Sequence, residues 1–446
     1  MGIFRAASRR QLSRSGRLKP IREETSMSEE KNGISRRNFT KSAALGGFAI
    51  LSARGALAEA NSDTLKVGLI GCGGRGGGAA MNHIRANENV VIVALADAFE
   101  DRLNDTRKRL ADTNSPRLRK KVDIADDMCF VGLDAYKKLL ATDVDVIIHA
   151  TPPYARPQHI EAAVEAGKHI FTEKPVAVDA PGIRRFIAAA EKAKEKGLVF
   201  VTGTQRRHQK SYLETMAKIH DGAIGDILAM RCYWNGTLPF SHERKEGQSD
   251  LEYRLRNWYN QIWTCGDNIV EQHIHNLDVC NWVMNDEHPI KVTGTGGRAW
   301  KPNTEQYGDI FDHFVCDYEY PNGVHMYSSA RHFNNSANAV FEEATGTKGV
   351  SRCQDMGKDD RDPYEQEHAD LVASIRGEID YINEGVRCAN STFTAILGRD
   401  AAYSGQELTW DDHLANGPAV YDPDTLSFDN AYPLGAIPVP GDWGKA

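Results

Sequence analysis

The 446-residue chain has no run of eighteen uncharged apolar residues, so no permanent membrane-spanning helix is expected. Its eight cysteines are scattered, with neither a C-x-x-C pair nor zinc-type spacing. A redox dithiol or a structural zinc site is therefore not expected, and nothing demands a disulfide. No internal repeat or low-complexity segment is present. Positive charge is scarce beyond the N-terminus. Residues 1–58 hold 12 Lys and Arg against 4 Asp and Glu, so of the chain's 54 basic and 61 acidic residues 42 and 57 remain, a net charge of −15. A protein this acidic is a poor candidate for binding nucleic acid. The length and a hydrophobic content of 41% suit a globular protein with two domains.

The basic N-terminal segment has an order of its own. Ser35-Arg36-Arg37-Asn38-Phe39-Thr40-Lys41 is followed by the apolar Ala43–Ala53 and then by Ala56-Leu57-Ala58. A basic region, a short apolar region and a small-residue cleavage site in that order read as an export signal, and the first element resembles the twin-arginine form. Met27 also opens a conventional signal of this kind. The expectation is a segment 1–58 handled by the twin-arginine export machinery, and a periplasmic or otherwise exported protein that folds, with its cofactor, before translocation.

From Leu65 onward strands alternate with helices. Leu65–Ile70, Val90–Ala96, Val144–Ala150, His169–Thr172 and Leu198–Thr202 read as strands, and Ala79–Ala86, Pro157–Ala166 and Ala180–Lys196 read as helices. This alternation predicts an α/β fold with a parallel, doubly wound sheet over 63–203. Beyond it, Ile227–Trp234, Ile290–Gly296, Ile310–Tyr320 and Gly323–Ala330 read as longer strands, with a hairpin turn at Pro321-Asn322-Gly323. Helices at about 267–284 and 365–376 complete a second, α+β domain over 204–412 with a mostly antiparallel sheet. The Pro-, Gly- and Asp-rich remainder, 413–446, reads as an extended arm.

Gly71-x-Gly73-x-x-Gly76 follows the first strand and opens a helix, with Gly74 and Arg75 inside the loop. The first glycine permits a tight turn, the second lets backbone approach a pyrophosphate, and the third allows close helix–strand packing. The helix N-terminus then offers N–H donors to phosphate. Asp97 ends the second strand 21 residues after Gly76, where a carboxylate accepts hydrogen bonds from ribose hydroxyls. It also repels a 2′-phosphate, which favours NAD over NADP, although Arg75 and Arg102 are placed to assist such a phosphate. Thr151-Pro152-Pro153 lies at another strand end, where ligands of such sheets bind.

Glu173-Lys174-Pro175 occupies the next strand end. A lysine there points into the crevice where nicotinamide lies, and partial desolvation would lower its pKa. On one helix through Asn268–Trp282, Glu271, His275 and Asp278 fall within about 60° of one another, with His273 on the opposite side. A carboxylate four residues away orients a histidine for proton exchange with an alcohol. A metal site would need a second His-bearing motif, which the sequence lacks. A buried structural histidine is the other reading.

Together these residues resemble the glucose–fructose oxidoreductase/inositol dehydrogenase/rhizopine-catabolism (Gfo/Idh/MocA) family from about Leu65 to Trp410. The resemblance rests on the glycine loop, Asp97, Thr151-Pro152-Pro153 with His159, Glu173-Lys174-Pro175, and the helix carrying His275 and Asp278. It implies a Rossmann domain followed by an open antiparallel sheet, homodimers or homotetramers, and NAD(P)-dependent chemistry on a secondary hydroxyl of a sugar or polyol. It assigns Lys174 as the catalytic lysine and His275 as the acid–base histidine. Glu271 stands where many members carry a substrate-holding aspartate. Arg206 and Arg207 match a stretch that often faces substrate. Trp258 lies in Asn235–Ile262, whose Trp, Tyr and Arg content suits a carbohydrate-facing loop and equally a plain packing loop. Export implies tightly held NAD, which suits a paired oxidation and reduction of two sugars. It also suits a glycosidase that oxidises, eliminates and returns the hydride. A non-catalytic sugar sensor would keep the glycine loop but need neither Lys174 nor His275.

Replacing Arg36 and Arg37 together by Lys is expected to keep the protein in the cytoplasm. Fractionation that finds the doubly substituted chain in the periplasm at the unsubstituted level would defeat the signal assignment.

Overall fold

The computed structural model describes residues 64–443. The segment 1–58 with its proposed export signal lies outside them. The first sheet contains β1 (Leu65–Ile70), β2 (Val90–Asp97), β3 (Cys129–Val131), β4 (Val146–His149), β5 (His169–Thr172) and β6 (Phe200–Thr202). All neighbours are parallel, in the order β3-β2-β1-β4-β5-β6. The short apolar runs follow from burial on both faces, as crossover helices require. Those helices are α1 (Gly74–Ala86), α2 (Glu100–Ala111), α3 (Ala135–Leu140), α4 (Arg156–Glu165) and α5 (Ala180–Glu195). The strand order reverses between β1 and β4, and the crevice at that switch point is where such sheets take a dinucleotide.

After α6 (Lys210–His220) the second sheet begins with β7 (Ile227–Gly236). Helices α7 (Asp250–Arg256), α8 (Asn268–Glu271) and α9 (Ile274–Val283) intervene before β8 (Lys291–Gly297), β9 (His313–Glu319), β10 (His325–His332), β11 (Ala339–Gly346) and β12 (Val350–Ser351). With β13 (Leu408–Thr409) the order is β12-β11-β7-β10-β9-β8-β13. Only the β7–β10 pair is parallel; the other pairs are antiparallel. Strand β10 shows the one-sided burial of such a sheet, with Met326, Ser328, Ala330 and His332 turned inward.

Two helices join these sheets: one read from the sequence at about 365–376 but assigned to the second domain, and one not read at all. Helix α10 (Pro363–Ile375) packs on α1, and Asn383 bridges to Phe200 at the edge of the first sheet. The 204–412 region is thus interrupted by a return to the first domain. Helix α11 (Gly385–Ser404) touches β8, α5 and α9, so it is packed from both domains at once. Burial on nearly every side erases the apolar stripe that marks an ordinary amphipathic helix. Its Thr392 and Thr394 hydroxyls donate to the carbonyls of Cys388 and Asn390, 2.8 and 3.0 Å away, which satisfies them inside the core. Strand β11 was missed because Glu342 and Glu343 disguise it. Glu342 is nonetheless fully buried. Helix α12 (Trp410–Asn416) starts before residue 413, so the arm proper begins after it.

Helix α11 lies close on the sheet because small residues face it. A Cβ at Gly398 would sit 1.9 Å from the Tyr318 hydroxyl. Gly398→Ala is therefore expected to destabilise the fold by about 1–3 kcal/mol through overpacking. In urea denaturation the double variant Gly398→Ala/Tyr318→Phe should recover part of that loss; equal stability of wild type and Gly398→Ala would refute the close packing.

Candidate active site

The carboxyl ends of β1, β4 and β5 open into one cavity of about 1160 Å³. At its floor Gly71 has a φ of +94°, and a Cβ there would lie 2.7 Å from the Ala150 carbonyl carbon. A Cβ on Gly76 would come within 1.8 Å of the Gly71 oxygen. Those two glycines close the turn, while Cβ atoms on Gly73 and Gly74 would meet no atom within 4 Å. Helix α1 starts there without a side-chain cap, so its first N–H groups face the cavity unclaimed. This open backbone cradle fits a pyrophosphate.

Asp97 borders the same cavity. Its two carboxylate oxygens accept the N–H groups of Cys72 at 2.6 Å and Phe99 at 2.8 Å. Burial raises its pKa, and those two donors oppose the shift. Thr151 and Pro152 also line the cavity, whereas Pro153 is buried in a short 3₁₀ turn, Pro153–Ala155, and does not border it. His159 lines the wall beside Tyr136, whose ring stacks on it at 3.7 Å; burial holds its pKa at about 3. Arg156, overlooked in the sequence, ties two loops together. Its guanidinium donates to the Thr151 carbonyl at 2.9 Å and to the Pro175 carbonyl.

Lys174 and Glu173 both reach the cavity from the end of β5. The Lys174 ammonium donates to the backbone carbonyl of Glu271 at 2.6 Å and to its carboxylate at 3.3 Å. Glu173 instead turns to Arg75, which also donates to Glu367 at 3.1 Å. Arg75 is thereby held by carboxylates on both sides and pinned to α10.

The continuous helix predicted around Asn268–Trp282 is broken. Helix α8 ends at Glu271 and α9 begins at Ile274. The His275 N–H bonds the Gln272 carbonyl at 3.3 Å, so the Glu271 carbonyl is free for Lys174. Both Glu271 and His275 line the cavity, and Trp234 stacks on the His275 ring at 5.8 Å. Burial pushes the Glu271 carboxyl up, opposed by Lys174 and Arg156. Burial, and then the positive charges of Lys174, Arg206 and Arg75, hold His275 well below the ordinary histidine range.

Besides Pro153, three predicted site residues do not border the cavity. Asp278 accepts two hydrogen bonds from Arg207, at 2.8 and 2.9 Å, and a third from Ser391 at 2.8 Å. Arg207 and Asp278 are buried, so this pair is a packing element and not a partner of His275. The break after Glu271 explains the difference, because a stripe drawn on one ideal helix no longer exists. Arg206 pairs with buried Glu342. The 3₁₀ turn Gln205–His208 sends these arginines inward and presents Gln205 to the cavity instead. Trp258 does line it, with Trp234, Phe240, His242 and Gln272.

Comparison with known proteins places these features in a family. Residues 65–202 match the "Oxidoreductase family, NAD-binding Rossmann fold" and residues 212–352 the "GFO/IDH/MocA C-terminal domain". The inositol 2-dehydrogenase of Klebsiella pneumoniae (strain 342) is 30% identical over 271 residues, 58% of this chain and 69% of that one. The inositol 2-dehydrogenase/D-chiro-inositol 3-dehydrogenase of Shouchella clausii is 30% identical over 50% of this chain, a match spanning only 54% of that protein. Among solved structures, scyllo-inositol dehydrogenase from Lactobacillus casei with bound NAD(H) and scyllo-inositol superposes with a TM-score of 0.59 at 19% identity, covering 79% of this chain and all of that one (100%). Aldose-aldose oxidoreductase from Caulobacter crescentus gives 0.59 at 17% identity, covering 78% and 100%. At those identities the structures establish the fold.

Asp278→Ala is expected to destabilise the protein by about 1–3 kcal/mol, since it removes the bidentate partner of buried Arg207 and leaves only the more exposed Asp286, 2.7 Å away, to pair the charge. Replacing both residues by apolar ones of similar size should restore most of the loss in chemical denaturation. A near-neutral Asp278→Ala would refute the packing role.

Proposed function

Because the chain belongs to the GFO/IDH/MocA oxidoreductase family, we propose that it is an NAD-dependent dehydrogenase of a sugar or polyol, with hydride exchanged at a secondary carbinol carbon. The observation that carries this reading is the meeting of Lys174, Glu271 and His275 in the cavity that the glycine loop opens. Gly71, Gly73, Gly74 and Gly76 would hold the pyrophosphate and Asp97 the adenosine ribose. NAD, when bound, supplies the hydride acceptor.

The protein's own groups manage the proton. Two of the three Lys174 N–H donors go to Glu271, which leaves one for a substrate hydroxyl. Its fixed positive charge then stabilises the alkoxide as the proton leaves. His275 is kept neutral by burial and by the nearby cations, so its free ring nitrogen accepts that proton. Trp234 fixes the plane of the imidazole. Trp258 and Phe240 offer apolar surface to the C–H faces of a ring, and Gln205, His242 and Gln272 offer partners for its hydroxyls. Curated relatives act on inositols, which supports a polyhydroxylated ring as substrate. The reading includes export of the folded protein with NAD already loaded, on the strength of the Ser35–Lys41 motif.

Turnover by purified protein should appear as NADH formation with a panel of inositols, aldoses and glycosides. Release of aglycone without NADH would replace net dehydrogenation by a returned-hydride cycle. Lys174→Ala is expected to lower turnover by about 10²–10⁴-fold while NAD affinity is retained; full activity would remove its role. Because His275 is held below its usual value of 6.5, activity should persist as pH falls through that value and fade only when the imidazole finally protonates. An acid limb at or above pH 6.5 would contradict the neutral-histidine assignment.

A further inference from the structure

The family matches end at residue 352, yet the chain's last described stretch returns to the cavity. Pro423 and Leu426 line it. They stand opposite Phe99, two residues beyond Asp97, and beside Leu133 and Leu255. Phe428 adds a ring contact to Phe99 at 6.2 Å. An apolar patch therefore spans four separate parts of the chain beyond the carboxyl end of β2.

The segment is fastened at two points. At one end the Val420 N–H donates to Asp179 at 2.9 Å, and the Tyr421 hydroxyl donates to the Tyr154 carbonyl. At the other, the Tyr432 N–H donates to Asp250 at 3.0 Å, and its carbonyl accepts from Arg254 at 3.1 Å. The Tyr432 ring also stacks on Trp263 at 5.9 Å. Between these anchors every hydrogen bond found for residues 422–431, among the described residues, stays within the segment or goes to Tyr432. Its hold on the cavity is apolar alone. The middle can thus lift without breaking a hydrogen bond to the rest of the protein, while both ends stay attached.

We propose that Val420–Tyr432 forms a strap that completes the adenosine half of the cofactor site, with Leu426 and Pro423 covering the purine, so that NAD(H) leaves only when the strap lifts. This rests on the cofactor reading above. It gives an exported protein a means of keeping NADH bound until a second, carbonyl-bearing substrate takes the hydride back.

The test is NADH release from the full chain, followed by the fluorescence change in stopped flow. Leu426→Ala removes the cover, and Tyr421→Phe removes one oxygen from an anchor with little risk to folding. Release is expected to be about 10-fold faster in the first and several-fold faster in the second, the usual place for an affinity change being the off-rate. Reduced nicotinamide mononucleotide, which lacks adenosine, should bind all three proteins alike. Unchanged NADH release in both variants, or equal weakening of the mononucleotide, would overturn the strap. An unsubstituted chain that binds no NADH would overturn the cofactor reading and the strap with it.

Discussion

The Lys174 ammonium resting on the Glu271 carbonyl is the contact on which the rest of the site depends. The lysine comes from the first sheet and the carbonyl from the second domain, so this hydrogen bond is where the two halves meet at the cavity. It exists only because the backbone stops being helical after Glu271. In an unbroken helix that carbonyl would accept the His275 N–H. Here His275 bonds Gln272 instead, and a charged donor takes the freed acceptor. The same break turns Glu271 and His275 toward one cavity.

Charge placement around this contact follows one rule. Three arginines around the site are matched by carboxylates, and the charges of Lys174, Arg206 and Arg75 help to keep His275 neutral. Arg207 is matched by Asp278, Arg206 by Glu342, and Arg75 by Glu173 and Glu367. Such pairs add little net stability over apolar packing, but removing one partner is costly, so they hold α9 and α10 to definite positions. Arg156 does the same for the loops after β4 and β5 through backbone carbonyls.

Much of this was legible in the chain. Strand β5 was read with its observed bounds, and the parallel, doubly wound sheet followed from the alternation of strands and helices. The glycine loop, Asp97 and Lys174 were visible because each follows a strand end, and parallel sheets present those ends to ligands. What was hidden had a physical cause in each case. Helix α11 is buried on nearly every side and shows no stripe. Strand β11 carries a glutamate whose partner, Arg206, lies far away in sequence. Gln205 and Arg206 are neighbours, and only the 3₁₀ turn decides which of them faces the cavity.

The sequence by itself determined the strand–helix alternation of the first domain and the glycine loop, lysine and histidine that line the cavity, because these depend on local spacing and on which residue types end a strand. Tertiary structure alone decided which carboxylate meets Lys174, that Asp278 belongs to Arg207, and that residues 420–432 come back over the cavity. Those outcomes depend on where a helix breaks and on partners distant in the chain. Neither is encoded in any short window, because each is settled by the cost of burying a charge or a carbonyl without a partner.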